Sequence, residues 1–322
     1  MRFYFLLFFV MFSFNAFAQK NHKIQASIRP LQSIISNLTK NIEEVGLIMD
    51  QNESLHNYYL RPSKTRMIHS SEMIILINKD FETFLKNTIG TLDTKKIKII
   101  EVSKFPEIDL LEDVEGHCLG HGHEVEHKHK HEHEQDKHQH NVEGHKNNHV
   151  DLYDYHIWLD PIRVKSIAKA IVEKFVEEDP KNQITYINNL NDFLIKLDEL
   201  NENIKLKMQQ IRDVNFVVTH NAYQYFIDRY KLSTPRAITI DHDHNIGIRE
   251  FLKIQSDIKE NKVQCIFEEP QFKSKIIEKI KANTDVRVSM LDAEWGPDNV
   301  SVENQYFVMM NQLSDSFYNC LK

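Results

Sequence analysis

A single helical pattern, beginning at Asp179-Pro180 and continuing for about 30 residues, is the feature that most limits how this chain can fold. Its apolar residues recur every three or four positions, which is the spacing of one face of an α-helix. They are Ile184, Ile187, Leu190, Leu194, Leu197, Leu200, Ile204 and Met208. A helix of this length spans about 45 Å, which is too long to lie on one small sheet. We therefore predict that residues 181–212 form a rigid helix that joins two lobes.

Short apolar runs alternate with helical patterns on both sides of this helix. The runs are 23–28, 43–49, 73–77 and 96–102 before it, and 216–220, 236–240, 264–270 and 286–291 after it. Such alternation is typical of an α/β fold with a mainly parallel sheet. We therefore predict two similar α/β lobes, an N-terminal lobe at 19–180 and a C-terminal lobe at 213–322.

Residues 112–150 interrupt the first series and contain 11 of the 18 histidines. This segment lacks apolar periodicity and cannot bury enough apolar surface to fold alone, so we predict a long disordered loop. Its closely spaced histidines are expected to bind Zn²⁺, Cu²⁺ or Ni²⁺ at several weak sites. The candidates are His117, His121, His123, His127, His129, His131, His133, His138 and His140. The loop either collects zinc for transfer, senses zinc, or is a solvated spacer.

The N-terminus has the features of a secretory signal peptide. Met1-Arg2 is followed by the apolar residues 3–14 and a small-x-small pattern that ends at Ala18, where we expect cleavage. The apolar run of about 12 residues is too short to span a bilayer. A net charge of −7 argues against nucleic acid as a partner. The mature chain is therefore expected to be exported.

Three histidines outside the loop stand at strand or loop ends beside polar residues: His56, His156 and His220. Ligands of open α/β sheets bind beyond the carboxyl ends of the strands, so these side chains can converge on a cleft between the lobes. Three imidazoles and one oxygen complete a tetrahedral Zn²⁺ shell. Asp292 follows the last predicted strand and is a candidate for the oxygen ligand.

Five motifs resemble, in order, those of the zinc-binding solute-binding proteins of bacterial high-affinity zinc ABC importers. They are SLHNYYLRPS (54–63), HIWLDP (156–161), VVTHNAYQYF (217–226), CIFEEPQF (265–272) and the pair Leu291-Asp292. The histidine-rich insertion between the first and second motifs is the feature that separates zinc members from their manganese relatives. The resemblance covers nearly the whole mature chain.

The resemblance implies a periplasmic, monomeric binding protein that carries Zn²⁺ as cargo in a cleft and delivers it to a membrane permease. It implies His56, His156 and His220 as ligands, with Asp292 at a position that supplies a carboxylate in some members. Glu269 matches a carboxylate near the cleft. Cys265 and Cys320 match a disulfide found in some zinc members.

This chain departs from the family pattern at two places. Leu55 stands before the first histidine, where some relatives have an acidic residue. The fourth ligand therefore stays open between water, Asp292 and Glu269. Residues 293–296 form a longer turn than the family's, so Glu294 and Trp295 are expected to reshape that side of the cleft.

Other functions remain to be weighed against zinc delivery. A secreted zinc hydrolase needs three ligands, an open position and a base, but the sequence has neither H-E-x-x-H nor G-x-S-x-G. A periplasmic buffer would depend on the histidine-rich loop alone. Manganese or iron is the alternative cargo, although the three histidines favour zinc.

Overall fold

The computed structural model describes residues 22–113, 153–237, 248–260, 263–271 and 275–322. The predicted signal peptide and all nine candidate loop histidines lie outside these residues. The first series of elements is β1 (Ile24–Ala26), α1 (Arg29–Leu38), β2 (Val45–Leu47), α2 (Pro62–His69), β3 (Met73–Leu76), α3 (Thr83–Ile89) and β4 (Lys98–Glu101).

Two helices connect this series to the second one. They are α4 (Pro161–Glu178) and α5 (Gln183–Met208). The second series is β5 (Phe216–Val218), α6 (Gln224–Tyr230), β6 (Arg236–Ala237), α7 (Ile248–Glu260), β7 (Cys265–Glu268), α8 (Lys275–Ala282), β8 (Arg287–Met290) and α9 (Val302–Leu321). Short 3₁₀ helices lie at Val102–Lys104, Ile157–Leu159 and Pro180–Asn182.

The two sheets have the same topology. Their strand orders are β2-β1-β3-β4 and β6-β5-β7-β8, and every pairing is parallel. Parallel neighbours need a long crossover connection, which the intervening helices provide. The carboxyl ends of all strands in one sheet therefore lie at the same edge. The prediction of two similar α/β lobes with parallel sheets is confirmed.

Helix α5 has 26 residues, which corresponds to about 39 Å, and it packs against α4, α9 and α1. Its buried residues include Leu197, Leu200 and Ile204 from the predicted apolar stripe. Ile184 and Ile187, at the start of the helix, are exposed instead. The helix thus joins the two series, and its first turn contacts the core through Tyr186 instead of the two isoleucines.

One continuous apolar core connects the two sheets. It includes Ile75 of β3, Leu197 of α5 and Val218 of β5. Helix α9 returns from the second sheet to α1, where Asn37 Nδ2 donates a 2.7 Å hydrogen bond to Glu303 O. Among the described residues, no helix combines the length and apolar character needed to cross a bilayer.

A disulfide joins Cys265, at the start of β7, to Cys320, near the end of α9. The two residues are 55 positions apart, and their Cα atoms are 5.9 Å apart. This is the pair that the family resemblance implied. It fixes the final turn of α9 to the sheet of the second lobe.

Candidate metal site

The structure brings together the three histidines that the sequence singled out. Potential ligand atoms of His56, His156 and His220 all lie within 4.8 Å of one another. The three ring centroids are 4.8, 5.3 and 5.8 Å apart in pairs. His56 lies in the loop after β2, His156 directly precedes the 3₁₀ helix Ile157–Leu159, and His220 follows β5 by two residues. Both lobes therefore contribute to one cluster.

The imidazole of His156 is oriented by a neighbouring carboxylate. Its Nδ1 lies 2.7 Å from Asp154 Oδ1, and its backbone N–H donates to the same oxygen at 2.8 Å. Both side chains are buried. A carboxylate that accepts a hydrogen bond from Nδ1–H favours the tautomer in which Nε2 carries no proton and keeps its lone pair. The Nε2 atom of His156 is buried without a hydrogen-bond partner.

The second lobe orients His220 in a similar way, with a carboxylate from the adjacent strand. Nδ1 of His220 lies 3.1 and 3.2 Å from the two oxygens of Glu269, which directly follows β7. The hydroxyl of Tyr223 donates to Glu269 at 2.8 Å. Burial opposes ionisation of both partners, but their mutual attraction outweighs it. The pKa of His220 is therefore raised and the pKa of Glu269 is lowered.

His56 has a different environment. Burial, followed by the charges of His220 and His156, holds the pKa of His56 well below its usual value. Phe81 presents an edge contact to the rings of His56 and His156, at centroid distances of 5.6 and 5.1 Å. The Nε2 atom of His56 is also buried without a hydrogen-bond partner. A neutral His56 with a free lone pair is the form that binds a metal.

Asp292 is not part of the three-histidine group. One of its carboxylate oxygens accepts hydrogen bonds from the backbone N–H groups of Glu294 and Trp295, at 3.0 and 2.9 Å. The other accepts from Gly296 N at 2.9 Å. Asp292 therefore closes the turn between β8 and α9.

The sequence motifs assigned no role to Asp154 or Tyr223. Asp154 orients His156 directly, and Tyr223 binds the carboxylate that orients His220. Asp154 stands two residues before His156, and this D-x-H spacing was a usable signal. Tyr223 lies within the motif at 217–226, but no local pattern reveals its contact with Glu269, which spans 46 residues.

The geometry can hold one metal ion. Buried polar atoms normally have partners, so two unpaired Nε2 atoms that face one cluster call for a ligand. Imidazole nitrogens suit Zn²⁺, whereas Mg²⁺, Ca²⁺ and Mn²⁺ favour oxygen ligands. Three protein ligands leave one position of a tetrahedral shell open.

Comparisons with known proteins show the family of this chain and agree with its fold. Residues 24–320 match the family model described as zinc-uptake complex component A, periplasmic. The high-affinity zinc uptake system protein ZnuA of Brucella abortus is 32% identical over 315 residues, covering 95% of this chain and 94% of the relative. ZnuA of Haemophilus influenzae is 31% identical over 318 residues, covering 94% and 93%. A crystal structure of ZnuA superposes with a TM-score of 0.72 at 22% identity, covering 93% of this chain and 98% of that one.

Proposed function

The chain belongs to the family of periplasmic zinc-uptake component A, and from this premise we propose that His56, His156 and His220 hold its Zn²⁺ cargo. Members of this family are solute-binding components of zinc transporters and not enzymes. The protein binds zinc in the periplasm for uptake by an ABC importer, which implies a membrane permease as its partner.

The observation that supports this ligand set most directly is the pair of unpaired Nε2 atoms on His56 and His156. Each would be costly to bury without a partner. A Zn²⁺ ion bound to both, and to His220 Nε2, would satisfy them. Asp154 and Glu269 would act on the opposite ring nitrogens, fixing the tautomers and raising ligand basicity.

Water is the fourth ligand that we propose. Asp292 already accepts three backbone hydrogen bonds, and Glu269 already binds both His220 and Tyr223. Neither carboxylate belongs to the group of potential ligand atoms that the three histidines form. A water molecule completes the tetrahedral shell and leaves the ion accessible for transfer.

The finer features of delivery are also part of this proposal. The signal peptide is cleaved near Ala18, the mature protein is a monomer, and the lobe boundaries lie at 19–180 and 213–322, with the link at 181–212. The histidine-rich loop at 112–150 collects or senses zinc at weaker sites. Support comes from the small-x-small pattern and the histidine spacing in the sequence.

A competitive Zn²⁺ titration of the mature protein tests the ligand set. We expect one tight site and several weaker sites. His56→Ala, His156→Ala and His220→Ala should each remove the tight site, whereas His69→Ala, at an exposed position on α2, should leave it intact. Persistence of the tight site in all three cluster variants would overturn the proposal. Deletion of 117–149 should remove only weak sites; loss of the tight site would instead favour a loop-based buffer.

The Asp292→Asn variant tests the fourth ligand. Asparagine keeps an oxygen that can accept from Glu294 N and Trp295 N but loses the acceptor for Gly296 N. Two of the three bonds of the turn should therefore survive, and zinc affinity should change less than about threefold. A loss well above the 10–100-fold that is typical of residues that only orient ligands would identify Asp292 as a ligand instead of water.

A further inference from the structure

The structure assigns a positioning role to the turn Asp292–Gly296: it fixes the loop that carries His56 and so slows zinc release. This inference rests on the proposed ligand role of His56 and deepens it. The turn follows β8 of the second sheet, whereas the His56 loop follows β2 of the first. A connection between them therefore couples a ligand segment of one lobe to the other lobe.

Two hydrogen bonds connect the turn to the residues just before His56. The indole N–H of Trp295 donates to Glu53 O at 2.7 Å. The backbone N–H of Leu55 donates to Glu294 Oε2 at 3.3 Å. Leu55, Glu294 and Trp295 are all buried, so the bond to Leu55 is shielded from competing water. The bond to Glu53, which is partly exposed, is shielded only in part. Together they restrain the backbone directly before the proposed ligand.

The turn also contacts the segment that carries His156. The indole N–H of Trp158, two residues after His156, donates to Ala293 O at 2.7 Å. Trp158 is fully buried. One five-residue turn thus binds both segments from which the first lobe supplies its histidines. The relative position of those two segments therefore depends on the turn.

The turn itself is rigid enough for this role. The Asp292 carboxylate accepts three backbone hydrogen bonds within it. Gly296 has a φ of 64°, and a Cβ there would lie 3.2 Å from Met309 Cβ of α9. Arg29 lies 5.4 Å from the Trp295 ring centroid and forms a 2.9 Å ion pair with Asp298. The turn is therefore anchored to α9 and to the start of α1.

Within the first lobe the His56 loop is held by packing: Tyr58 contacts Phe84 of α3 at a ring-centroid distance of 5.0 Å, and the His56 ring contacts Phe81. Near His56, the backbone N–H of this residue donates a 3.3 Å bond to Ser54 Oγ, and Tyr58 OH donates to Asp50 Oδ2 at 3.0 Å. Both are bonds within the loop, so they do not fix it to the other ligand segments. Supporting residues of a metal site hold ligand geometry and affinity, and most such differences appear in the dissociation rate.

The first test compares Trp295→Phe with the wild-type protein. Phenylalanine keeps an aromatic ring but removes the donor to Glu53 O. We expect Zn²⁺ to dissociate about tenfold faster into excess chelator, and the visible spectrum of the Co²⁺-loaded protein to change, because that spectrum reports ligand geometry. Tyr230→Phe is the control: it removes a 3.2 Å bond from a buried ring to Asn201, between α6 and α5.

The outcomes separate this inference from the proposed function. A Trp295→Phe protein with the wild-type dissociation rate and Co²⁺ spectrum would overturn the positioning role, while loss of tight binding in His56→Ala would still support the ligand set. An equal acceleration of Zn²⁺ dissociation in Tyr230→Phe would also overturn the positioning role, because a general loosening of the fold would then explain the effect.

A second pair of variants covers the case in which Trp295→Phe does not fold. Glu294→Gln keeps an oxygen that accepts from Leu55 N, whereas Glu294→Leu removes the acceptor. We expect faster Zn²⁺ dissociation in the leucine variant and a near wild-type rate in the glutamine variant. Equal impairment of both would show that the carboxylate charge acts on the ion itself, which would overturn the positioning role of this side chain.

Discussion

In each lobe, a buried glutamate follows the third strand of the sheet, counted along the chain. These residues are Glu82, after β3, and Glu269, after β7. Burial raises the pKa of Glu82 to about 7, and the charge of Glu101 adds to this effect. Burial also acts to raise the pKa of Glu269, but His220 outweighs it, and that pKa is lowered. The comparison teaches that the partner, and not the depth of burial, determines the charge of each carboxyl group.

The two glutamates also differ in what they organise. Glu82 precedes α3 and accepts a 3.0 Å hydrogen bond from Asn78 N, so it closes the turn that carries Phe81. Glu269 binds the imidazole of His220. A buried carboxylate beyond the corresponding strand therefore supports a turn in the first lobe, six residues after β3, and a proposed metal ligand in the second lobe, directly after β7.

The lobes differ most in their covalent restraint, and this difference should produce the largest effect. Among the described residues, the disulfide Cys265–Cys320 lies in the second series and the first has none. Replacing both cysteines by serine releases a 55-residue loop, which should lower the free energy of unfolding by about 4 kcal/mol. Urea denaturation measures this change. Reduced wild-type protein should match the double variant, and a loss below about 1 kcal/mol would contradict the expectation.

The pH dependence of stability tests the contrast between Glu82 and Glu269. The pKa of Glu82 is about 7 in the folded state, above its usual value of 4.5. Between pH 4.5 and pH 7, the folded chain therefore keeps a proton that the unfolded chain has lost. The stabilisation is complete below pH 4.5 and is lost as pH rises through 7, with a total of roughly 3 kcal/mol. In Glu82→Gln this loss should disappear, as measured by denaturation between pH 5 and pH 8. An unchanged pH profile would refute the assignment.

Zinc binding should distinguish the same two glutamates. Glu269→Gln weakens the hydrogen bond to His220 and removes the negative charge next to the imidazole. Zinc affinity should therefore fall by roughly 10–100-fold. Glu82→Gln is the matched control, because Glu82 is equally buried but has no histidine partner in the cluster. Competitive Zn²⁺ titrations of the two variants measure the difference. Equal loss in both would mean that the effect passes through the fold and not through His220.

Sequence patterns predicted those parts of the molecule that depend on local spacing. The strand and helix alternation gave the two sheets, and the strand ends located His56 and His220, since the carboxyl ends of parallel strands share one edge. The spacing of apolar residues predicts which face of a helix is buried but not which element covers that face, so the packing of α9 against α1 could not be predicted. The contact of Tyr223 with Glu269 and that of Glu294 with Leu55 N escaped prediction for the same reason: they join residues far apart in the chain, although Glu294 itself was expected to shape the cleft.

The continuous apolar core has a consequence for how the protein loses its structure. Since α5 and α9 pack into the interior shared by both sheets, neither lobe can expose its part of that interior without also exposing the part that belongs to the other lobe. The chain should therefore melt in one cooperative transition, despite its two-sheet architecture. A cation held by histidines from both sheets would then shift the melting temperature of the entire molecule by mass action.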